Sequence, residues 1–186
     1  MNKYQEYLNN IVSCKILYDE PLSKYTTFGI GGPASCLIYP NNSNELSIIL
    51  SCCYKNNVPV IFIGSGSNLL ICDQGFNGVV ISLRKTFKKL SIENNGIIFA
   101  QSGVMLGNMV KIAIQNNIIG LESLVGVPGT VGGALIMNAG AYGQEISNHF
   151  IKAKTMTMEG KIKKYLKNDI QFCYRRSTFP VDEILI

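Results

Sequence analysis

Apolar and polar positions along this chain alternate between the period of a helix and that of a strand. From residue 42 to 56, Leu46, Ile49, Leu50 and Cys53 recur at i, i+3, i+4 and i+7, the stripe of a helix buried on one face. Asn42 suits the N-cap and Glu45 stands three residues on, the capping-box spacing. Residues 34–39, closed by Pro40, and residues 60–63 are short apolar runs of strand length. Residues 34–63 therefore predict a β-α-β unit and a small parallel pairing. Residues 79–83, 89–92 and 97–100 predict further strands, the last two joined by an Asn95-Gly96 turn. Leu106, Met109, Val110, Ala113 and Ile114 share one face of a second helix over residues 106–116. Residues 147–166 predict extended chain with a turn at Glu159-Gly160, and residues 169–172 one short helical turn. The glycine-bearing stretch 64–78 divides the chain into two α+β lobes, drawn as 1–72 and 73–186.

Composition narrows the class. With 186 residues and 47% apolar side chains, the chain can bury a real core, which excludes disorder as its main state. The net charge of +5 comes from 17 basic and 12 acidic side chains, too modest to predict a nucleic-acid partner. Eight basic residues follow position 150 (Lys152, Lys154, Lys161, Lys163, Lys164, Lys167, Arg175 and Arg176) against Glu159, Asp169, Asp182 and Glu183. Solvated strands account for them, and so does a cleft for an anionic small molecule. No apolar run reaches the 18 or so residues of a membrane span, and the first residues, MNKYQEYLNNIVSCK, lack a signal-peptide run. The expected compartment is the cytoplasm. Six cysteines without a C-x-x-C pair predict no disulfide framework. Those in apolar runs, Cys36 and Cys72 among them, suit small buried hydrophobes. With His149 as the one histidine, no metal site is expected.

The chemistry lies in the glycine loops. Gly64-Ser65-Gly66-Ser67-Asn68 directly follows the strand 60–63. Glycine permits positive φ, and successive N–H groups in such a turn form a nest that accepts an anion such as a diphosphate. The loop is neither a Rossmann fingerprint nor a P-loop, and a plain tight turn explains it equally well. A second stretch, residues 120–143, holds seven glycines (Gly120, Gly126, Gly129, Gly132, Gly133, Gly140 and Gly143), punctuated by Pro128 and Asn138. It leaves little room for a regular element, yet it is too apolar for a linker. Backbone packed against a large phosphate-bearing cofactor fits it, and so does a crowded turn between lobes. A third cluster runs from Phe172 to Phe179 and contains Arg175-Arg176. A guanidinium there suits a carboxylate or phosphate, or it pairs with Asp182 or Glu183.

Together these segments resemble one family. Thr26-Thr27-Phe28-Gly29-Ile30-Gly31-Gly32-Pro33-Ala34 is similar to its T-T-F-x-x-G-G-x-A motif, and Gly64 to Leu70 to its G-x-G-S-N-L-L loop. Gly120-Leu121-Glu122, Gly126-Val127-Pro128-Gly129-Thr130-Val131-Gly132-Gly133 and Asn138-Ala139-Gly140-Ala141-Tyr142-Gly143 resemble its glycine block. Tyr174-Arg175-Arg176-Ser177 resembles its Y-R-x-S. The family is UDP-N-acetylenolpyruvoylglucosamine reductase (MurB), and the likeness covers residues 20–179.

The resemblance implies a two-lobed α+β FAD-binding domain of the vanillyl-alcohol-oxidase (PCMH) type, with FAD between the lobes. NADPH would reduce FAD, and the reduced flavin would pass hydride to the enolpyruvyl group of a UDP-sugar, giving UDP-N-acetylmuramate for peptidoglycan, hence a link to cell shape, growth and division. It assigns FAD contacts to Gly64, Ser65, Gly66, Ser67, Asn68, Leu69, Gly126, Pro128, Gly129, Thr130, Gly132, Gly133, Asn138, Gly140 and Ala141. It makes Arg175 catalytic, binding the substrate carboxylate and stabilising enolate-like charge, with Tyr174 beside it as a substrate contact. Members of the family continue into a third, substrate-binding domain that supplies a Ser or Cys proton donor and a late Glu. The expectation for these 186 residues is therefore flavin binding with at most weak turnover alone. They would act as a piece of a longer enzyme, as half of a split one with a separate partner chain, or as a flavin-binding remnant. Another FAD-linked oxidoreductase of the same superfamily is the rival enzyme reading.

Overall fold

The structure, a computed structural model, describes residues 3–186. Helix α1 (Lys3–Ile11) leads into strand β1 (Lys15–Pro21), and β2 (Pro33–Tyr39) returns antiparallel along it. Helix α2 (Ser43–Lys55) follows, then β3 (Val60–Ile63) and β4 (Phe76–Ser82). The sheet order is β1-β2-β4-β3, with β4 parallel to both neighbours. The β-α-β unit expected over 34–63 is therefore present in sequence, but its two strands do not touch. β4 enters between them because its residues are apolar on both faces. Val79 and Ile81 face α2, and Val80 faces Leu37 and Ile63 on the other side. The expected lobe boundary at 72/73 falls before β4, which completes this first sheet.

Helix α2 starts as its cap predicts. The Asn42 side chain accepts from the Glu45 N–H at 3.0 Å, satisfying one of the helix's unpaired donors. Glu45 does more than close that turn. Its buried carboxylate accepts from the Asn41 N–H at 2.9 Å, the Ser13 N–H at 2.9 Å and the Ser13 hydroxyl at 2.7 Å. It thereby ties the helix start to the connection between α1 and β1.

The second half begins with the hairpin of β5 (Leu90–Glu93) and β6 (Ile97–Ala100), turned by Asn95 and Gly96, both at positive φ. Helix α3 (Leu106–Gln115) buries Leu106, Met109, Val110 and Ala113, whereas Ile114, expected on that face, is exposed. The stretch 120–143 contains more regular structure than its glycines suggest: a 3-10 turn (Glu122–Leu124), helix α4 (Val131–Ile136) and strand β7 (Gly140–Ala141), which pairs with β8 (Gln144–Glu145). A second 3-10 turn, Ile146–His149, replaces the start of the extended chain expected from 147. Strands β9 (Lys152–Thr157) and β10 (Ile162–Leu166) form the expected hairpin. The helical turn expected at 169–172 lies earlier, at Lys167–Asp169, where Asp169 accepts from the Leu166 N–H. The two-residue strands β11 (Phe172–Cys173) and β12 (Arg176–Ser177) pair with each other, and β13 (Glu183–Leu185) joins β9 to give the order β10-β9-β13.

The two halves share a core. Met156 of β9 and Ile184 of β13 pack in one cluster with Leu46, Ile49 and Leu50 of α2. Ser47 and Ser51 of α2 donate to the carbonyls of Gly160 and Glu159 in the β9–β10 turn. Phe150, Phe172, Phe179 and Tyr165 meet edge to face beside this sheet. Cys14, Cys36, Cys52 and Cys53 are buried, but Cys72, expected among the apolar positions, is exposed in the loop before β4. Among the described residues no helix is long and apolar enough to cross a membrane, and no cluster of metal-ligating side chains is present.

Candidate functional site

The parallel strand β3 delivers its chain into the loop 64–69, at a strand's carboxyl end. That loop packs on the connection after β1. The Thr27 N–H donates to the Gly66 carbonyl at 3.0 Å, and Gly66 stands at φ +71. A Cβ on Gly66 would run into the Tyr25 carbonyl. Gly66 is thus required by the chain's own packing, before any ligand is considered. Tyr25 is itself anchored: its hydroxyl donates to Glu20 at 2.8 Å, and burial followed by that bond raises its pKa. Among the described residues, the backbone N–H groups of Ser65, Gly66, Ser67 and Asn68 meet no protein acceptor. Four successive N–H groups without a protein acceptor, around a left-handed glycine, are the material from which an anion nest is built.

The second glycine loop lies directly against the first. The Ser67 hydroxyl donates to the Pro128 carbonyl at 3.1 Å, and a Cβ on Gly64 would come within 2.5 Å of Thr130 Oγ1. Thr130 is buried and caps α4, accepting from the Gly133 N–H at 3.4 Å. The first N–H groups of α4 are consumed within the protein: Val131 donates to Val104 and Gly132 to Ser102. A Cβ on Gly132 would press on Ser102 Cβ at 2.8 Å, so Gly132 seats the helix. By contrast, open space surrounds a Cβ built on Gly126 or Gly29, while Gly129 has only the Ser67 hydroxyl nearby, at 3.8 Å. Exposed Phe28, Leu70 and Val125 belong to these same loops.

Two small hairpins complete the constellation. Tyr142-Gly143, both at positive φ, turn β7 into β8, leaving the Tyr142 ring almost fully exposed. Tyr174-Arg175 turn β11 into β12, with Arg175 at φ +56. Arg175 Nη1 donates to the Gly140 carbonyl at 3.0 Å, and its guanidinium lies 5.2 Å from the Tyr174 ring centre. Ser177 donates to the Ile136 carbonyl at 2.8 Å. Asn138, wholly buried between the hairpins, donates to Glu145 Oε2 at 2.6 Å and to the Cys173 carbonyl at 3.1 Å. Of the two alternative partners considered for the arginines, Glu183 is buried and takes Lys163, Thr155 and Tyr165, and among the described residues Asp182 forms no ion pair with either arginine.

The fold thus brings loop 64–69, residues 126–133, Gly140, Ala141, Tyr174 and Arg175 into one connected assembly. Glu145, two residues after Gly143, is the member that sequence reasoning does not single out. Its one signal is adjacency to the glycine block, because the seven-residue step from Asn138 crosses the β7–β8 turn, where no helical period holds. Ser102 is another. Its buried hydroxyl has no partner, like Ser123 Oγ on the second loop itself. Buried polar atoms left unpaired call for a further partner. Together with the free N–H groups and the open glycine faces, they fit a large polar ligand laid along both loops.

Comparison with known proteins gives the family and the fold. Residues 34–165 match the family described as FAD binding domain. The chain belongs to that family. This FAD binding domain is 40% identical over 181 residues to the UDP-N-acetylenolpyruvoylglucosamine reductase of Carboxydothermus hydrogenoformans, covering 97% of the chain and 60% of the relative. The reductase of Streptococcus thermophilus is 40% identical over 189 residues, covering 100% of the chain and 61% of the relative. The crystal structure of the reductase from Thermus caldophilus superposes with a TM-score of 0.72 at 29% identity, covering 94% of the chain and 60% of that protein. A glucooligosaccharide oxidase from Acremonium strictum, 16% identical, shares the fold alone, with a TM-score of 0.64 over 90% of this chain and 37% of that one. The FAD binding domain described here is therefore of the vanillyl-alcohol-oxidase (PCMH) type. It spans about 60% of the length of the curated relatives it matches.

Proposed function

We propose that this chain carries the flavin-binding half of an NADPH-dependent reductase acting on UDP-N-acetylglucosamine enolpyruvate. The observation that carries the reading is the run of N–H groups without a protein acceptor at Ser65–Asn68, set against residues 126–133. When bound, FAD supplies hydride chemistry, relaying two electrons and a proton from NADPH to a polarised double bond. These N–H groups and the side chains of Ser65, Ser67 and Asn68 would hold its diphosphate, with Leu69 at the loop's end. Gly126, Pro128 and Gly129 line the open side of the second loop. Thr130, Gly132 and Gly133 hold that loop in place through α4. Gly140 and Ala141 present the hairpin on which Arg175 rests.

Arg175 would bind the enolpyruvyl carboxylate through its guanidinium fork, with Tyr174 against the same group. As hydride reaches the outer carbon of the double bond, negative charge grows on the carbon bearing the carboxylate and spreads into the carboxylate oxygens. A fixed cation there lowers the barrier. Arg175 does not supply the proton that completes the reduction, because a guanidinium acts as a fixed cation and not as a general acid. Turnover to UDP-N-acetylmuramate would therefore draw on an acid that these residues do not provide. The lobe division at 72/73, cytoplasmic action in peptidoglycan precursor synthesis and a partner carrying the remaining groups belong to this same proposal.

The test is flavin binding by the 186-residue chain. Non-covalent FAD, releasable by acid precipitation, should co-purify or quench its fluorescence on addition. It should also raise the melting temperature by mass action. A folded chain that gains no stability with excess FAD would overturn the reading.

A further inference from the structure

Arg175 occupies a backbone conformation that costs energy, and a partner must keep it there. A non-glycine residue at φ +56 in the second position of a two-residue turn stands where Gly or Asn is the ordinary choice. Such outliers persist where their surroundings over-determine them. Two contacts reach the Arg175 hairpin from the glycine block at its base: Asn138 Nδ2 to the Cys173 carbonyl at 3.1 Å, and Ser177 Oγ to the Ile136 carbonyl at 2.8 Å. Asn138 also donates to Glu145 Oε2 at 2.6 Å, across the other hairpin, whose Gly140 carbonyl receives the Arg175 guanidinium.

We propose that Asn138 is a positioning residue for Arg175: its buried carboxamide clamps the hairpin 140–145 to the hairpin 172–177, so that the guanidinium is held over Gly140. This inference rests on the proposed function above, and it separates Asn138 from the flavin contacts with which the family resemblance grouped it. The left-handed turn after α4 explains an Asn or a Gly at 138, since φ there is +42. It does not explain the carboxamide, which a glycine would lack. Both of its donor positions are spent on acceptors, so its orientation is unambiguous. With zero exposure, it has no surface to offer a cofactor, and its Oδ1 is buried with the rest of the side chain.

The discriminating variants are Asn138→Gly, which keeps the turn and removes the clamp, and Asn138→Asp with Glu145→Gln. The latter pair reverses donor and acceptor toward residue 145 at unchanged net charge and removes the bond to the Cys173 carbonyl. The first measurement needs no flavin: the rate of tryptic cleavage at Arg175–Arg176 in the chain as purified. Asn138→Gly should raise it about tenfold, and so should the exchanged pair, which keeps a bond to residue 145 but leaves the Cys173 carbonyl without its donor. The second is the affinity of the FAD-loaded chain for UDP-N-acetylglucosamine enolpyruvate, read from the flavin's visible spectrum. Asn138→Gly should weaken it about tenfold while FAD affinity stays within about threefold. Adding Asn138→Gly to Arg175→Ala should cost nothing more. Unchanged cleavage and substrate affinity would sink the inference, and so would a loss of FAD affinity in Asn138→Gly as large as the loss of substrate. If wild type takes up no FAD, the function falls, and the cleavage rates alone still decide whether Asn138 clamps the hairpin.

Discussion

Two residues at the site show how function and folding share the same backbone. Arg175 is left-handed where an L-residue pays about 1–2 kcal/mol, and it is exposed enough that packing returns little. Arg175→Gly should therefore melt within a few degrees of wild type, while affinity for the enolpyruvyl carboxylate falls by at least tenfold. A drop of ten degrees or more in differential scanning calorimetry would show that the guanidinium is a structural prop instead. Gly66 is the opposite case. A side chain there would collide with the Tyr25 carbonyl and add strain at φ +71. Gly66→Val should lose both FAD binding and several degrees of stability, whereas Lys161→Ala, which removes a surface pair with Glu159, should change neither. Both positions are conspicuous in the sequence as motif members. What collides with Gly66 is not legible there, because Tyr25 lies forty-one residues away and meets the loop only after the first sheet has formed.

At the scale of elements, two buried carboxylates fasten segments that the hydrophobic pattern leaves unconnected. Glu45 joins α2 to the connection between α1 and β1. Glu183 joins β13 to β9 and β10, accepting from Thr155 at 2.6 Å, Lys163 at 2.6 Å and Tyr165 at 3.0 Å. Burial by itself would raise the Glu183 pKa, but the bonds from Lys163, Thr155 and Tyr165 outweigh it and hold the carboxyl below its usual value. A carboxylate whose folded pKa is depressed stabilises the fold above its unfolded pKa of about 4.3. That contribution disappears as pH falls through the lower, folded value. Glu183→Gln should cost about 2 kcal/mol at pH 7. The gap between variant and wild type should narrow below about pH 4, as urea midpoints at pH 7 and pH 3 would record. A gap that stays constant with pH would mean that Glu183 acts by packing alone. The elements themselves were largely legible: the Asn42 cap, the α2 and α3 stripes, and the Asn95-Gly96 turn all follow local rules. α4 was hidden because its two glycines read as loop, although one of them is needed to seat the helix on Ser102.

At the scale of the molecule, the proposed function assigns flavin and carboxylate binding to these residues and proton delivery elsewhere. The 186-residue chain should then oxidise NADPH in response to the enolpyruvyl substrate at least 100-fold more slowly than a full-length relative, the lower end of what general acid catalysis contributes, about 10²–10⁴-fold. Turnover at the relative's own rate would place a proton donor within this chain, with Ser177 the first residue to mutate. The amino-acid sequence by itself determined the local elements, the two glycine loops and, through their order and spacing, the kind of ligand they suit. Those features depend on residue type and short-range period, which one chain displays directly. Only the tertiary structure decided that β4 separates β2 from β3, that the first donors of α4 are spent internally, and that Asn138 joins Glu145 to the Arg175 hairpin. Each of these depends on which groups compete for the same place or the same hydrogen bond after distant segments have packed, and no linear period records that competition.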